Sequence, residues 1–167
     1  MKRRSGCSVI RVEMHPQHAN GNVDGGRMHV FGGIIMSFMD TAGASAARDI
    51  CRSRCVTKKF TEIIFEKPVY VGDLLECYGE VTAVGNTSIT VRINVDVVRE
   101  GETVHVTQGE AVFVAVDQTG KPTQVINWNG KRPRIRRKSG ASACKRSAGT
   151  TCGSQNAPAP AEATQKK

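Results

Sequence analysis

No stretch of this 167-residue chain approaches the ~20 consecutive apolar residues that a membrane span needs. Cys7-Ser8-Val9-Ile10-Arg11, behind a basic start, is too short and too soon interrupted by charge to be the apolar core of a secretion signal. The expectation is a soluble chain with a cytoplasmic address and its six cysteines kept as thiols. Cys51 and Cys55 lie four apart, but no second close cysteine pair follows, and a closed zinc site needs four ligands. No metal is expected. The run Gly43-Ala44-Ser45-Ala46-Ala47 lacks the second glycine of a nucleophile elbow, which argues against a serine hydrolase of that design.

Acidic residues are nearly missing from the last 37 positions. From Lys131 onward ten Lys or Arg face the single acid Glu162, so this end carries the whole net charge of +9. Residues 1–130 are balanced, and at this length they fit one domain with a real core. The block Lys131-Arg132-Pro133-Arg134-Ile135-Arg136-Arg137-Lys138 leads into a run rich in Ser, Ala, Gly and Pro, a composition that buries too little surface to fold. Residues 131–167 are therefore expected to form a disordered tail. Such tails attach to nucleic acid through counterion release, but this one has neither interleaved aromatics nor a helix-turn-helix pattern beside it. A solvated tail is the simpler reading.

What is present centres on Phe31-Gly32-Gly33-Ile34-Ile35-Met36-Ser37-Phe38-Met39-Asp40. Two glycines open a helix expected to reach about Arg52, apolar up to its carboxylate and then built of small residues from Ala42 to Ala47, the pattern of a helix covered by protein on most sides. Asp40 stands out. Flanked by Met36, Phe38 and Met39, its carboxylate is expected to resist ionisation, as paired structural acids and catalytic acids do.

Around the helix the pattern is one of strands. Residues 8–14 alternate, and residues 15–30, with Pro16, Asn20-Gly21 and Gly25-Gly26, read as irregular backbone. That loop holds His15, His18 and His29, without an acid at fixed spacing, and they are expected to be solvated. Strands follow over residues 56–65, 74–84, 87–99 and 103–116, with turns at Gly85-Asn86 and Glu100-Gly101-Glu102. One strand, one helix and four strands joined by short turns make an α+β domain: an antiparallel sheet of about five strands curved around one helix.

These residues resemble the hot-dog acyl-CoA thioesterases, most closely the short bacterial acyl-CoA hydrolases of the YciA type. The similar segments are Phe31-Gly32-Gly33 through Met39-Asp40, Phe65-Glu66-Lys67-Pro68-Val69-Tyr70-Val71-Gly72-Asp73, Val84-Gly85-Asn86-Thr87-Ser88, and Phe113-Val114-Ala115-Val116-Asp117 with Gly120-Lys121-Pro122. The likeness covers residues 9–125. The family's Asn and Gly ahead of Phe-Gly-Gly are met in two registers, around Asn20-Gly21 and around Gly26-Arg27-Met28, because residues 16–31 run several positions longer.

Thioester hydrolysis requires an attacking water or carboxylate and donors for the oxyanion. Asp40 is the expected general base or nucleophile, and the Gly32 and Gly33 amides at the helix start are the expected oxyanion donors. Eight residues of helix put Gly32 ~12 Å from Asp40, too far for one carbonyl to touch both, so the site is expected to be shared across a dimer. The resemblance implies the same, often as a trimer of dimers, with acyl-CoA as substrate and no separate cofactor. Asn20, Phe31, Gly85, Asn86, Thr87 and Ser88 are the positions expected to contact acyl-CoA; Arg27 and the basic block are left open as phosphate partners. The alternatives are a hot-dog dehydratase, whose His-Phe-Pro pattern is absent here, and a non-catalytic acyl-CoA binder with a nucleic-acid-binding tail.

Overall fold

Alternation over residues 89–97 dictates the middle of the molecule. The strand β6 (Ser88–Arg99) buries Ile89, Val91, Ile93, Val95 and Val97 completely, one per two residues, on the face that meets the helix. The computed structural model describes residues 7–127 with Gly130, Lys131 and Pro133. The expected disordered tail therefore lies, apart from Lys131 and Pro133, outside the described residues.

Before β6 come β1 (Cys7–Glu13), β2 (Ala19–Asp24), β3 (Arg27–Val30), the helix α1 (Gly32–Ile50), β4 (Arg54–Phe60) and β5 (Leu74–Val84); β7 (Glu102–Val116) follows it. One antiparallel sheet has the order β1-β5-β6-β7-β4, and β2 with β3 form a separate ribbon. This is the expected hot-dog arrangement, five strands curled on a single helix. Among the described residues no helix is long and apolar enough to cross a membrane.

The helix can lie close to the sheet because both surfaces have glycine at the contact. A Cβ on Gly79 of β5 would stand 2.7 Å from the Ala42 carbonyl oxygen, and one on Gly43 would stand 2.8 Å from the Phe113 ring. Met39, Ala42, Ala46 and Ala47 are buried against Phe113, Leu75 and the β6 aliphatics in one core cluster.

Two expectations need correction. The irregular loop over residues 15–30 is a short 3₁₀ turn and the β2–β3 ribbon, joined by Gly25 and Gly26 with φ of 54° and 79°, so two positive-φ residues make a tight hairpin. The strand expected over residues 56–65 begins at Arg54 and ends at Phe60. The ladder shifts register after Thr57, resumes at Lys59 and Phe60, and ends there, after which the Thr61 and Glu66 N–H groups donate to the Glu110 and Val106 carbonyls. The helix is covered on most sides as expected, and within one chain its uncovered side includes Met36, Ser37 and Thr41.

The segment before β5 is held by charge. Arg99 donates from Nε and Nη2 to the two carboxylate oxygens of buried Asp73 at 2.8 and 2.6 Å, and the Tyr70 N–H donates to Asp73 Oδ2. The Arg99 guanidinium lies 4.6 Å from the Tyr70 ring centroid and the Arg27 guanidinium 5.5 Å from it. Arg27 also pairs with Glu100 at 2.8 Å, which ties the ribbon to the β6–β7 turn.

Candidate active site

The start of α1 is bare. Phe31 sits at the N-cap with extended backbone (φ −65°, ψ 125°) and makes no side-chain cap hydrogen bond, so it does not satisfy the first amides. The Phe31 N–H donates to the His18 carbonyl and the Ile34 N–H to the Phe31 carbonyl, while the Gly32 and Gly33 N–H groups have no partner among the described residues. Free amides at the positive end of a 19-residue helix are donors awaiting an acceptor. Phe31 and Phe65 flank them: a Cβ on Gly33 would meet the Phe31 ring at 2.4 Å, and one on Gly32 the Phe65 ring at 3.5 Å.

Asp40 lies two turns further along, half-buried. Its Oδ1 accepts a 2.5 Å hydrogen bond from Thr57 Oγ1, across the gap between α1 and β4. Thr57 is the residue that sequence reasoning missed. No spacing rule ties position 57 to position 40; only the path of the chain from α1 back into β4 brings them together.

Gly32 and Asp40 remain on one straight helix, at ~12 Å by its rise, so a single protomer does not bring them to one atom. Beside them lies apolar surface that the chain leaves uncovered: Phe31 is 57% exposed, Met36 43%, Val56 45% and Ile64 64%.

The other expected contacts divide. Gly85, Asn86, Thr87 and Ser88 form the β5–β6 turn, in which the Gly85 N–H donates to the Ser88 carbonyl at 2.7 Å, a site well removed from the helix start. Asn20 is exposed in β2, and its side-chain oxygen accepts from the Asn22 N–H at 2.9 Å, a local bond within the ribbon. The loop histidines have ring partners: His18 lies edge-on to Phe38 at 6.3 Å and tilted against His15 at 5.9 Å, and His29 lies edge-on to Tyr70 at 5.0 Å. His105 bonds Asp96 at 2.8 Å, but Asp96 alternates with the core residues Val95 and Val97 of β6 and so projects from the face turned away from α1.

Among the described residues no three His, Cys, Asp or Glu side chains gather as a metal site. Burial pushes the Cys55 thiol up to about 12, neighbouring Cys51 adds to this, and Arg48 opposes it.

The thioesterase superfamily pattern matches residues 28–107. The chain is 37% identical over 133 residues to an uncharacterized acyl-CoA thioester hydrolase of Buchnera aphidicola, covering 77% of this chain and 95% of that one. It is 36% identical over 122 residues to the acyl-CoA thioester hydrolase YciA of Escherichia coli, covering 70% and 89%. Among solved structures it is similar to a hexameric thioesterase from Yersinia pestis, at 36% identity and a TM-score of 0.65, covering 71% of this chain and 93% of that one.

Proposed function

Because this chain belongs to the hot-dog acyl-CoA thioesterases of the YciA type, and is therefore a thioester hydrolase, we propose that its chemistry is shared between Asp40 of one protomer and the Gly32 amide of another. The substrate is acyl-CoA and the products are a free acid and coenzyme A. The observation that carries the reading is the pairing of a Thr57-bonded, half-buried Asp40 with free helix amides ~12 Å away on the same helix, beside uncovered apolar surface. Two such helices, packed antiparallel by a two-fold, bring each Asp40 to the other's Gly32. Assembly into a trimer of dimers follows the hexameric Yersinia relative.

In this arrangement the thioester carbonyl accepts from the Gly32 N–H, with Gly33 beside it, and the negative charge that develops on that oxygen is held by the helix start. Asp40 takes a proton from an attacking water, or attacks the carbonyl carbon itself to give a mixed anhydride that water then opens. Thr57 fixes the carboxylate's orientation in either route. Phe31 lines the mouth, and the β5–β6 turn, residues 85–88, meets the coenzyme arm. Asn20 contacts substrate only if its bond to Asn22 opens. No separate cofactor enters the scheme, and the protein works in the cytoplasm.

A dehydratase would need an acid-paired histidine near the helix start; His29 faces Tyr70, and His105 is paired on the wrong face of the sheet. The test is free-thiol release from a panel of acyl-CoA lengths, with a 3-hydroxyacyl-CoA among them. Asp40→Asn is expected to lower turnover by two orders of magnitude or more with the fold intact, and near wild-type turnover by that variant would end the assignment.

A further inference from the structure

Phe65 is 41% exposed, yet the chain on both sides of it is pinned to β7. The Thr61 N–H donates to the Glu110 carbonyl and the Glu66 N–H to the Val106 carbonyl, each at 2.8 Å. Between these two bonds the hydroxyl of Thr107, completely buried, donates to the Ile64 carbonyl at 2.7 Å. A buried hydroxyl that donates to one carbonyl holds that peptide in place, because leaving it unpaired there is costly. The residue fixed between Ile64 and Glu66 is Phe65, whose ring reaches across to the start of α1.

Two rings thus set the room over the free amides of Gly32 and Gly33. Carbon atoms in contact stand about 3.5–4.0 Å apart. A carbon at the Cβ position of Gly32 would lie 3.5 Å from Cε2 of Phe65, so on that side there is space for one layer of carbon and no second. On Gly33 the same position lies closer to the Phe31 ring than carbon contact allows, so that side has space for none. The amides open onto a narrow aromatic slot, and its Phe65 wall is anchored through the backbone to β7.

A thioester is flat: the carbonyl oxygen, its carbon, the sulfur and the first carbon of the acyl chain share one plane. With its oxygen about 2.9 Å from the Gly32 nitrogen, that plane fits a slot one layer deep. A straight acyl chain adds a single carbon at the position next to the carbonyl. A methyl branch at that position adds a second, and the two cannot both lie in the plane. We infer that Phe65, with Phe31 beside it, is a specificity-determining residue that selects acyl groups unbranched at the carbon next to the thioester carbonyl. The inference rests on the hydrolase reading above, which seats the carbonyl on these amides.

The test uses three isomeric substrates, hexanoyl-CoA, 4-methylpentanoyl-CoA and 2-methylpentanoyl-CoA, which differ only in where the branch falls. Wild-type kcat/KM for the 2-methyl isomer is expected to be lower than for the other two by roughly tenfold or more, the scale on which a single methyl group is discriminated. In full-length Phe65→Ala the preference is expected to shrink to within about threefold, and in Phe65→Trp, whose larger ring narrows the slot, to widen. Ratios within one variant cancel any loss of folded enzyme, and comparison between variants cancels the intrinsic reactivity of the branched thioester. A wild-type chain without the preference, or a preference unchanged in Phe65→Ala, would overturn the assignment. Calorimetric binding of the same three thioesters separates this from the hydrolase reading. If the wild-type chain releases thiol from none of them, that reading fails, while binding that disfavours the 2-methyl isomer in wild type but not in Phe65→Ala still supports the slot, and equal binding removes it.

Discussion

Thr57 Oγ1 donates to Asp40 Oδ1 at 2.5 Å, joining an edge strand to the helix across seventeen residues of sequence. A bond to a carboxylate is stronger than one between neutral groups, and it engages one carboxylate oxygen, which under the proposed mechanism leaves the second for the reacting atoms. In the proposed mechanism Thr57 acts as a positioning residue. Thr57→Val retains the shape of the side chain and deletes the donor, so kcat is expected to fall roughly tenfold with KM little changed, and Thr57→Ser to restore most of the rate. Steady-state kinetics on one acyl-CoA checks this; a Ser variant as slow as Val would assign the loss to packing.

A shared site makes a prediction about mixtures. Gly32→Pro deletes one N–H at the first helical position, where proline is tolerated, and Phe31 already has the extended backbone that the residue before a proline requires. Loss of one oxyanion donor costs on the order of 10²–10³ in kcat. Asp40→Asn and Gly32→Pro chains, each nearly inactive alone, are expected on co-expression to recover roughly a quarter of wild-type activity, because half of the dimers then contain one intact site of two. No recovery in verified mixed dimers would place both groups within one chain.

The central strands were legible because burial on one face imposes a period of two: β5 falls on residues 74–84 and β6 within one residue of the expected start. The helix start was legible from its glycines. The β2–β3 ribbon was not, although Gly25-Gly26 is a recognised two-residue hairpin pair, because β2 has almost no buried face to stamp an alternation on Ala19–Asp24. Thr57 escaped for another reason. Its place depends on how the chain turns from α1 into β4, and that path is set by tertiary packing rather than by local pattern. Of the candidate site, Asp40 and the glycines were visible as residue types in context, whereas the bond that orients the acid was visible only in space.

Gly79 is where the sheet and helix come nearest. A Cβ there would lie 2.7 Å from the Ala42 carbonyl oxygen, a backbone atom that moves only if α1 moves. Gly79→Ala is expected to cost ~1–3 kcal/mol and lower Tm by several degrees. Gly109→Ala serves as the comparison, since its Cβ would meet Ile63 at 3.4 Å. Thermal melts of the two variants that shifted equally would show that the closeness at Gly79 is not what limits packing there.

Burial pushes the Cys77 thiol up to about 12, with nearby Asp96 adding to it, and Cys55 is raised to the same level by burial and by Cys51. Both start from an ordinary value of 9.0. The folded state therefore retains neutral thiols where the unfolded chain would ionise them. Their contribution to stability is fully present below pH 9.0 and is lost as pH rises from there toward 12. Cys77→Ala is expected to flatten that alkaline decline while lowering stability at neutral pH through the lost volume. Because the thiolate is the reactive form, Cys55 and Cys77 are also expected to resist iodoacetamide at about pH 8 until denaturant is added. Site-resolved mass spectrometry reads this directly: rapid alkylation of either in the native protein would mean that the thiol is neither buried nor held neutral.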